Sequence, residues 1–391
     1  MHIPADILAR AERALTITPA QEDAIARQFA AAMAAGLAGE QSTLKMLPSH
    51  LGKPGGHERG LFLALDFGGS NVRVQLVELC GAGKWLVRGQ TAAPLRDPAG
   101  AYDHTAAAAS EEQLFDFLAS QIAPLVGDGR DYYLGHTFSF PSRQPDLGSA
   151  ILLGWTKEIK TAGVEGREVS SLLAAALARR ELAHVRPVAV INDTVGTLLA
   201  AAYRDPAADI AAICGTGHNT CYYDAGRGTI INMESGNFAA LPLSSWDDIL
   251  DAASGHPGAQ RLEKAAAGRY LGEIARLIIA DAGGETGPPY SLTAEDLAGW
   301  LAGPDGPRRR LAALVAGRSA RLVAATFRGV LDHIDPHRKN RHTIAIDGSL
   351  YEKMPGYAGM LAAALGISPV LVKDGSGAGA AIAAALAVSR R

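Results

Sequence analysis

The chain has 391 residues, which is enough for two or three units of ordinary domain size, each able to bury its own core. Its hydrophobic fraction of 48% and charged fraction of 20% are those of a soluble globular protein. A formal net charge of −3 leaves no domain-wide basic surface to neutralise phosphates, so we expect no nucleic-acid partner.

The cysteines and the N-terminus bear on the cellular compartment. Cys80, Cys214 and Cys221 have neither the even number of a disulfide framework nor the spacing of a zinc site, which indicates a reducing environment. Cys214 and Cys221 lie in apolar runs and are predicted core residues. The N-terminus lacks a basic stretch leading into an apolar one, and the Ala-rich run at 29–37 is too short to span a bilayer. We therefore expect a cytoplasmic protein with no membrane partner.

The first 60 residues predict a helix and then a linker. Thr18, Pro19 and Gln21 supply an N-cap, a proline at the first helical position and a capping-box glutamine. Gly36 provides a stop signal, and residues 52–60 have the glycine-rich composition of a linker.

A strand that runs into a Gly-rich polar turn is repeated along the chain. The first turn lies between apolar residues 61–65 and 72–79, and the second lies within residues 210–223. Two later turns, at 347–349 and 374–376, share the sequence Asp-Gly-Ser. Glycines let backbone N–H groups approach an anion with no Cβ in the way, and Ser, Thr and Asn add further donors. Because three of these four turns also carry a carboxylate, they indicate phosphate and metal binding.

Strands and helices alternate between these turns. The predicted elements are a helix over Glu111–Ile122, strands at 134–140 and 188–191, a helix at 194–203, helical tracts at 259–280 and 307–331, strands at 343–346 and 370–372, and a final Ala-rich helix. The alternation predicts an α/β fold, and a strand–turn–strand element near the start of each half indicates a duplicated fold. Two such lobes facing one another create a cleft, where ligands usually bind.

Several polar segments occur in a recognisable order. They are Asp66-Phe67-Gly68-Gly69-Ser70-Asn71-Val72-Arg73, Phe138-Ser139-Phe140-Pro141, Trp155-Thr156-Lys157, Asn192-Asp193-Thr194, Gly215-Thr216-Gly217-His218-Asn219, Asn232-Met233-Glu234, the run 257–264 and both Asp-Gly-Ser turns. Together they resemble the signature segments of the eukaryotic-type hexokinases, from about residue 61 to the C-terminus. The resemblance implies the actin-like ATPase fold, in which two RNase H-like lobes surround a deep cleft. It implies a helical segment at 1–60 packing on the large lobe, a small lobe at 61–192 plus 377–391, and a large lobe at 193–376.

Phosphoryl transfer to a sugar hydroxyl needs a group that accepts the proton, and the resemblance assigns this role to Asp193. This residue directly follows a buried strand, so its carboxylate is expected at the strand's C-terminal end, where open α/β sheets bind ligands. The alternative is that Asp193 only caps the next helix. The resemblance adds Lys157 and Arg73 as catalytic residues, and a guanidinium at Arg73 suits a phosphate oxygen. An outward-facing strand position is the alternative for Arg73.

A ring of polar residues is implied for the sugar. By resemblance these are Ser139, Thr156, Lys157, Asn192, Asp193, Asn219, Glu234, Gln260 and Glu263. Their chemistry suits a polyol, because each hydroxyl both donates and accepts hydrogen bonds. The alternatives are an exposed helix face for Gln260 and Glu263, and a surface lysine for Lys157.

The glycine turns are the implied nucleotide site. ATP contacts are predicted at Asp66, Gly68, Gly69, Ser70, Asn71, Arg73, Gly215, Thr216, Gly217, Ser349 and Ser376. Asp66 is the predicted ligand of Mg²⁺, held partly through water, because magnesium keeps much of its hydration shell. Helix capping is the alternative role for Ser349 and Ser376.

The sequence therefore predicts an ATP-dependent hexokinase that phosphorylates the 6-hydroxyl of glucose, with mannose, fructose and glucosamine as further candidate substrates. Its expected partners are a hexose and MgATP, and its expected state is a monomer or a homodimer. A non-catalytic hexose sensor on the same fold is the alternative. The chain departs from the family pattern at Ser142, Glu158, His218, Ser235 and Ala378, which leaves the preferred hexose and the strength of ATP binding open.

Overall fold

Residues 3–127, 129–156 and 159–390 are described by a computed structural model, and the predicted site residue Lys157 lies outside these ranges, as does its neighbour Glu158. The strands in the described part are β1 (Leu47–Pro48), β2 (Arg59–Phe67), β3 (Asn71–Gly81), β4 (Lys84–Pro94), β5 (Tyr132–Phe138), β6 (Ser142–Asp146), β7 (Ser149–Leu152), β8 (Val185–Ile191), β9 (Ala208–Cys214), β10 (His218–Asp224), β11 (Thr229–Asn232), β12 (Thr343–Asp347) and β13 (Val370–Leu371).

The helices begin near the N-terminus and end with the chain. They are α1 (Ala5–Leu15), α2 (Pro19–Leu37), α3 (Glu111–Ile122), α4 (Val169–Arg179), α5 (Asp193–Arg204), α6 (Ser245–Ala252), α7 (Arg261–Ala266), α8 (Gly268–Asp281), α9 (Ala294–Ala302), α10 (Pro307–Ile334), α11 (Ser349–Lys353), α12 (Tyr357–Leu365) and α13 (Gly375–Ser389).

One sheet contains five strands in the order β4-β3-β2-β5-β8. The first three form an antiparallel meander, and β5 and β8 continue the sheet parallel to β2. Along β2, Leu63, Leu65 and Phe67 are fully buried in a core that also contains Leu114 and Leu118 of α3. This period of two is what the pleat of a strand requires when one face packs on helices.

The other large sheet has the order β1-β11-β10-β9-β12-β13. Here β9 and β10 are antiparallel, whereas β12 and β13 are parallel. If β1 is left aside and the strands of each sheet are numbered in chain order, their order across this sheet is 3-2-1-4-5. The five-stranded sheet has the same order. The predicted duplication of an α/β unit is therefore confirmed at the level of topology.

The C-terminal helix α13 packs closely against α5. A Cβ atom placed on its Gly379 would lie only 2.1 Å from the carbonyl oxygen of Gly196 in α5, so the two helix backbones touch where neither residue has a side chain. Most of α13 is buried alanine and glycine. This contact fixes the starts of α5 and α13, which carry Asp193 and Ser376, within one unit.

Contacts divide the chain into two units. The first comprises Met1–Leu47, Ile210–Tyr222 and Met233–Lys373, and the second comprises Pro48–Asp209, Tyr223–Asn232 and Asp374–Arg391. The lobe boundaries expected from the sequence, at 192/193 and 376/377, stay predictions.

Short-range sequence signals predicted several elements correctly. Helix α3 covers Glu111–Ile122 as predicted, and Thr18 and Gln21 form the reciprocal capping box at the start of α2. Cys214 and Cys221 are buried, as expected of core residues. The strand patterns do not predict β4, because its residues are mostly exposed and its alternation is weak.

The continuous helix predicted over 259–280 is wrong. Ala267 adopts an extended conformation with φ −82° and ψ 148°, which ends α7 and starts α8. The break brings the backbone N–H of Gly268 to the carbonyl oxygen of Gly215, at 2.9 Å. Local propensity favours a helix through this alanine, so the long-range contact decides against it.

Candidate active site

The turn at residues 66–71, here called the first turn, joins β2 to β3 and is flanked by a pair of opposite charges. Asp66 and Arg73 face each other in the antiparallel register, and Nη2 of Arg73 lies 3.0 Å from Oδ2 of Asp66. The same guanidinium donates through Nη1 to Oδ1 of Asp374, at 2.6 Å. Burial opposes the charge of Arg73, but the bonds to Asp374 and Asp66 outweigh it and raise the pKa of the guanidinium. Arg73 is therefore an oriented cation and not an outward-facing strand residue.

Ser376 belongs to the same network. Its hydroxyl donates to Oδ2 of Asp66 at 2.9 Å, and its carbonyl oxygen accepts from the hydroxyl of Thr137 at 3.1 Å. The capping position of α13 is held by Asp374, in a left-handed conformation with φ 54°. The capping alternative for Ser376 is thus wrong, because its hydroxyl binds a carboxylate in the predicted nucleotide site.

The residues around Asp66 offer few protein ligands for a magnesium ion. The described part of the chain has no cluster of three or more His, Cys, Asp or Glu residues that could hold a metal by itself. Oδ1 of Asp66 accepts no hydrogen bond from the described residues, while Oδ2 is occupied by Arg73 and Ser376. One available carboxylate oxygen fits an ion that keeps its waters and takes its other ligands from phosphates.

The rest of the first turn offers backbone and small polar groups. Gly68 donates its N–H to the carbonyl oxygen of Asn71 at 3.2 Å, which closes the turn. Ser70 and Asn71 are exposed at its tip, and Gly68 and Gly69 are half-buried. Both predicted glycines therefore lie where backbone groups can reach a ligand.

Asp193 lies at the point where β8 meets α5. Asn192 is the capping residue, and its Oδ1 accepts from the backbone N–H of Thr194 at 2.9 Å and from its hydroxyl at 2.6 Å. Oδ1 of Asp193 also accepts from the N–H of Thr194, at 2.8 Å, and the backbone N–H of Asp193 donates to Oγ of Ser139 at 3.0 Å. Because Asn192 supplies the cap, capping alone does not account for the half-buried carboxylate of Asp193.

An aromatic cluster supports the predicted sugar residues Ser139 and Thr156. Phe138 and Phe140, on either side of Ser139, are buried with ring centroids 4.9 Å apart. Trp155, which precedes Thr156, packs edge-on against Phe140 at 5.0 Å. Its indole N–H donates to the carbonyl oxygen of Thr161 at 2.9 Å, so the ring is anchored at both ends.

The same cluster contains a buried histidine. The ring of His136 lies 5.4 Å from that of Phe138, and neither of its nitrogens has a hydrogen-bond partner among the described residues. Burial lowers the pKa of this imidazole to about 3. His136 is therefore neutral at physiological pH and packs as an aromatic residue.

The turn at residues 215–217, here called the second turn, joins β9 to β10 and is held by backbone contacts. The N–H of Gly215 donates to the carbonyl oxygen of Gly217 at 3.1 Å. Gly268 and Arg269, at the start of α8, donate their N–H groups to the carbonyl oxygens of Gly215 and Thr216, at 2.9 and 3.1 Å. Thr216 stays exposed, so its hydroxyl can reach a ligand.

Four predicted sugar residues lie close to this turn. Nδ2 of Asn219 lies 3.4 Å from Oε1 of Glu234, and Oε2 of Glu263 accepts from the backbone N–H of His218 at 3.0 Å. Glu234 and Gln260 both adopt left-handed conformations, with φ 51° and 55°. Such conformations cost free energy in residues other than glycine and are concentrated at functional sites. The exposed helix face offered as an alternative for Gln260 and Glu263 is wrong, since both side chains are half-buried.

Some groups near the site carry no signal in the sequence. Asp374 was placed in a turn but not paired with Arg73, and 301 residues separate them. A pocket of about 320 Å³ contains Thr216 and Ser349 together with Arg269, Tyr290 and Lys353, which no motif singled out. Only the tertiary structure brings these residues together.

The chain is similar in sequence to known proteins. It matches two family models, each described as Hexokinase, over residues 7–203 and over residues 209–287 with 308–386. It is 34% identical to Hexokinase-3 of Homo sapiens over 93% of this chain, and spans 45% of that protein's length. It is also 34% identical to Hexokinase-1 of Oryza sativa subsp. japonica, over 94% of this chain and 88% of that protein.

Solved structures agree with these matches. A crystal structure of a hexokinase superposes with a TM-score of 0.87 at 31% identity, covering 97% of this chain and 98% of that one. The hexokinase from Schistosoma mansoni complexed with glucose gives a TM-score of 0.82 at 30% identity, covering 97% of this chain and 99% of that one. The predicted actin-like ATPase fold class is confirmed by these likenesses.

Proposed function

The chain belongs to the hexokinase family, and on that premise we propose that it transfers the γ-phosphoryl group of MgATP to the 6-hydroxyl of glucose or a close relative of glucose. The observation that carries the proposal is the junction of β8 and α5. There Asn192 caps the helix, Ser139 holds the backbone of Asp193, and the carboxylate of Asp193 stays half-buried.

Asp193 is proposed as the general base. A carboxylate at the C-terminal end of a parallel strand lies where α/β sheets bind their ligands. From there it can accept the proton of the attacking hydroxyl as that oxygen bonds to phosphorus. The hydrogen bond from its N–H to Ser139 fixes the backbone, which orients the carboxylate before substrate binds.

Hexose recognition is proposed for the predicted sugar residues. They are Ser139, Thr156, Asn192, Asn219, Glu234, Gln260 and Glu263, and Lys157 is added by resemblance alone. Side chains that both donate and accept can read the hydroxyl pattern of a sugar, and they reject a ligand that leaves them unpaired. The complex of the Schistosoma mansoni hexokinase with glucose supports glucose as the first candidate.

Phosphate binding is proposed for both turns and for Arg73. The proposed donors are the backbone N–H groups of Gly68, Gly69, Gly215 and Gly217 and the hydroxyls of Ser70, Thr216 and Ser349. Arg73 is fixed in position by Asp374 and Asp66 and can neutralise charge on a phosphate oxygen. We propose Mg²⁺ as the metal, with Asp66 as its protein ligand; when bound, the ion neutralises charge on the phosphates.

The sensor alternative is disfavoured by the first turn. A protein that only bound hexose would have no use for the Asp66, Arg73 and Ser376 network, whose chemistry is that of a phosphate and metal site. No observation specifically supports the sensor.

Location and assembly also remain proposals. Within the described ranges, none of the helices is both long and apolar enough to cross a membrane. We propose a cytoplasmic location and a monomer or homodimer, which fractionation and analytical ultracentrifugation would check.

The experiment that tests the proposed function is a coupled assay with MgATP and a panel of sugars: glucose, mannose, fructose, glucosamine and N-acetylglucosamine. Turnover of glucose at least comparable with that of the other sugars is the expected result. Calorimetry of sugar binding runs in parallel. Clear hexose binding with no turnover of any sugar would contradict the kinase and establish the sensor.

A further inference from the structure

Tyr290 lies on the wall of the pocket that contains two predicted phosphate contacts. The pocket has a volume of about 320 Å³, within the range of sites that hold small molecules. Thr216 and Ser349 line it, and Leu292, Ala298 and Met354 give it apolar walls. A phosphate group alone needs no such apolar space, so the pocket is suited to a larger part of a ligand.

The backbone of Tyr290 is strained. Its φ of 61° places a bulky aromatic residue in the left-handed region, where the Cβ atom crowds the backbone. Such a conformation persists only when the surrounding structure enforces it, and it is a recurrent feature of ligand sites.

Buried charges enforce this conformation. The N–H of Tyr290 donates to Oε2 of Glu273 at 2.6 Å, and Glu273 is only 4% exposed. Arg276 holds the same carboxylate by two hydrogen bonds, of 2.6 and 2.7 Å. Arg276 also lies 3.3 Å from the hydroxyl of Thr286, so one ion pair fixes two points of the segment that precedes α9.

The end of that segment is fixed as well. A Cβ atom on Gly272 would lie 2.2 Å from the carbonyl oxygen of Leu292, so only glycine in α8 admits the segment at this distance. Directly after it, Thr293 caps α9 in a reciprocal capping box with Asp296. The tyrosine is therefore carried by a rigid segment and not by a freely moving loop.

The ring itself is oriented but not covered. The guanidinium of Arg269 lies 5.8 Å from its centroid, and the ring of Tyr270 meets it edge-on at 6.3 Å. Tyr290 nevertheless remains 37% exposed. A fixed, partly exposed aromatic ring in a pocket with apolar walls is suited to stacking on a planar ligand.

We propose that Tyr290 contacts the base of the nucleotide donor and sets the affinity of the protein for it. This inference rests on the proposed function, in which the phosphates of the donor contact Thr216 and Ser349. A nucleotide held at those hydroxyls places its ribose and base in the remainder of the same pocket, where Tyr290, Leu292 and Met354 lie. Tyr290 is thus a binding residue for the donor and not a catalytic residue.

The test compares a ligand that has a base with one that lacks it. Binding of MgADP and of magnesium pyrophosphate is measured by calorimetry on the full chain, for the wild type, Tyr290→Asn and Tyr290→Phe. Asparagine tolerates the left-handed conformation and removes the ring, whereas phenylalanine keeps the ring. Trp300→Leu is the matched control, because this aromatic lies on α9 but is not part of the pocket lining as described.

The expected result is that Tyr290→Asn raises the Kd for MgADP by about 5- to 150-fold, as loss of one stacked base contact does, and leaves the Kd for pyrophosphate unchanged. Tyr290→Phe and Trp300→Leu should bind both ligands as the wild type does. Circular dichroism and thermal unfolding confirm that each variant folds.

Two results would overturn the inference while leaving the proposed function in place: unchanged MgADP binding in Tyr290→Asn, or equal losses for MgADP and pyrophosphate. A wild-type protein that bound neither MgADP nor pyrophosphate would overturn the proposed function, and the role of Tyr290 with it.

Discussion

The first and second turns are the same structural element used in two different ways. Around the first turn, the contacts are between charged side chains: Arg73 joins Asp66 and Asp374. Around the second turn, the donors are backbone N–H groups: that of Gly268 donates to the carbonyl oxygen of Gly215, and that of His218 donates to the carboxylate of Glu263. The difference teaches that a repeated fold repeats its strand order but not its chemistry. Variants near the first turn should therefore lower kcat, and variants near the second should weaken binding.

Asp193→Asn gives the largest expected effect, because it removes the proposed base from the unit that contains the first turn. The amide has nearly the same shape but cannot accept the proton, so kcat should fall by about 10²- to 10⁴-fold. Steady-state kinetics with glucose and MgATP measure it, and calorimetry should show that glucose still binds. A near-normal kcat would break the assignment of chemistry to this unit.

Arg73→Met should have the next largest effect. Its kcat should fall by about 10²- to 10³-fold, as on loss of one preorganised donor to a charged transition state. Asp374→Asn is the matched control: it weakens the ion pair but keeps the arginine, so its effect should be smaller. Kinetics at saturating MgATP separate the two variants. Equal effects would mean that the network acts only as a structural unit.

Glu263→Gln tests the second turn. The variant replaces the carboxylate proposed to bind a sugar hydroxyl with a neutral amide, and loss of one hydrogen bond to a charged group costs about 1.5 kcal/mol, or roughly a tenfold rise in KM for glucose. Its kcat should change much less. Glu112→Gln, at an exposed position of α3, provides the control. A fall in kcat with an unaltered KM would place this residue with the chemistry and end the contrast between the turns.

His136→Phe has the smallest expected effect, a change in stability, and concerns the aromatic cluster that packs next to Ser139. Because burial lowers the pKa of His136 to about 3, the unfolded chain takes up a proton below about pH 6.5 that the folded chain does not. The wild type therefore loses stability as the pH falls from 6.5 towards 3. Relative to the wild type, the free energy of unfolding of the variant should rise by about 1 kcal/mol between pH 7 and pH 5.5.

Urea unfolding at both pH values measures this change. His57→Gln, at an exposed position, is the control for the loss of one histidine. Parallel stability curves for wild type and His136→Phe would show that His136 is protonated in the folded state.

Short-range signals in the sequence predicted parts of both the fold and the candidate site. The capping box at Thr18 and the helix Glu111–Ile122 depend on residues within one or two turns of each other, so the sequence alone specifies them. The motif segments likewise single out Asp66, Asp193 and Ser376, because each lies within a short run of characteristic residues. The role of Lys157, which lies outside the described residues, rests on the motif alone.

The tertiary structure decided what depends on residues far apart in the chain. The pairing of Arg73 with Asp374, the helix break at Ala267 and the left-handed backbone of Tyr290 all run against local preference or carry no local signal. Each is stabilised by a partner that only folding brings close: a carboxylate 301 residues away, the carbonyl oxygen of Gly215, and the buried carboxylate of Glu273. The amino-acid sequence determined which chemical groups were present and which elements formed where their signals were short-range. Long-range contacts determined how those groups were oriented, because the free energy that holds a strained or charged arrangement comes from neighbours outside the local segment.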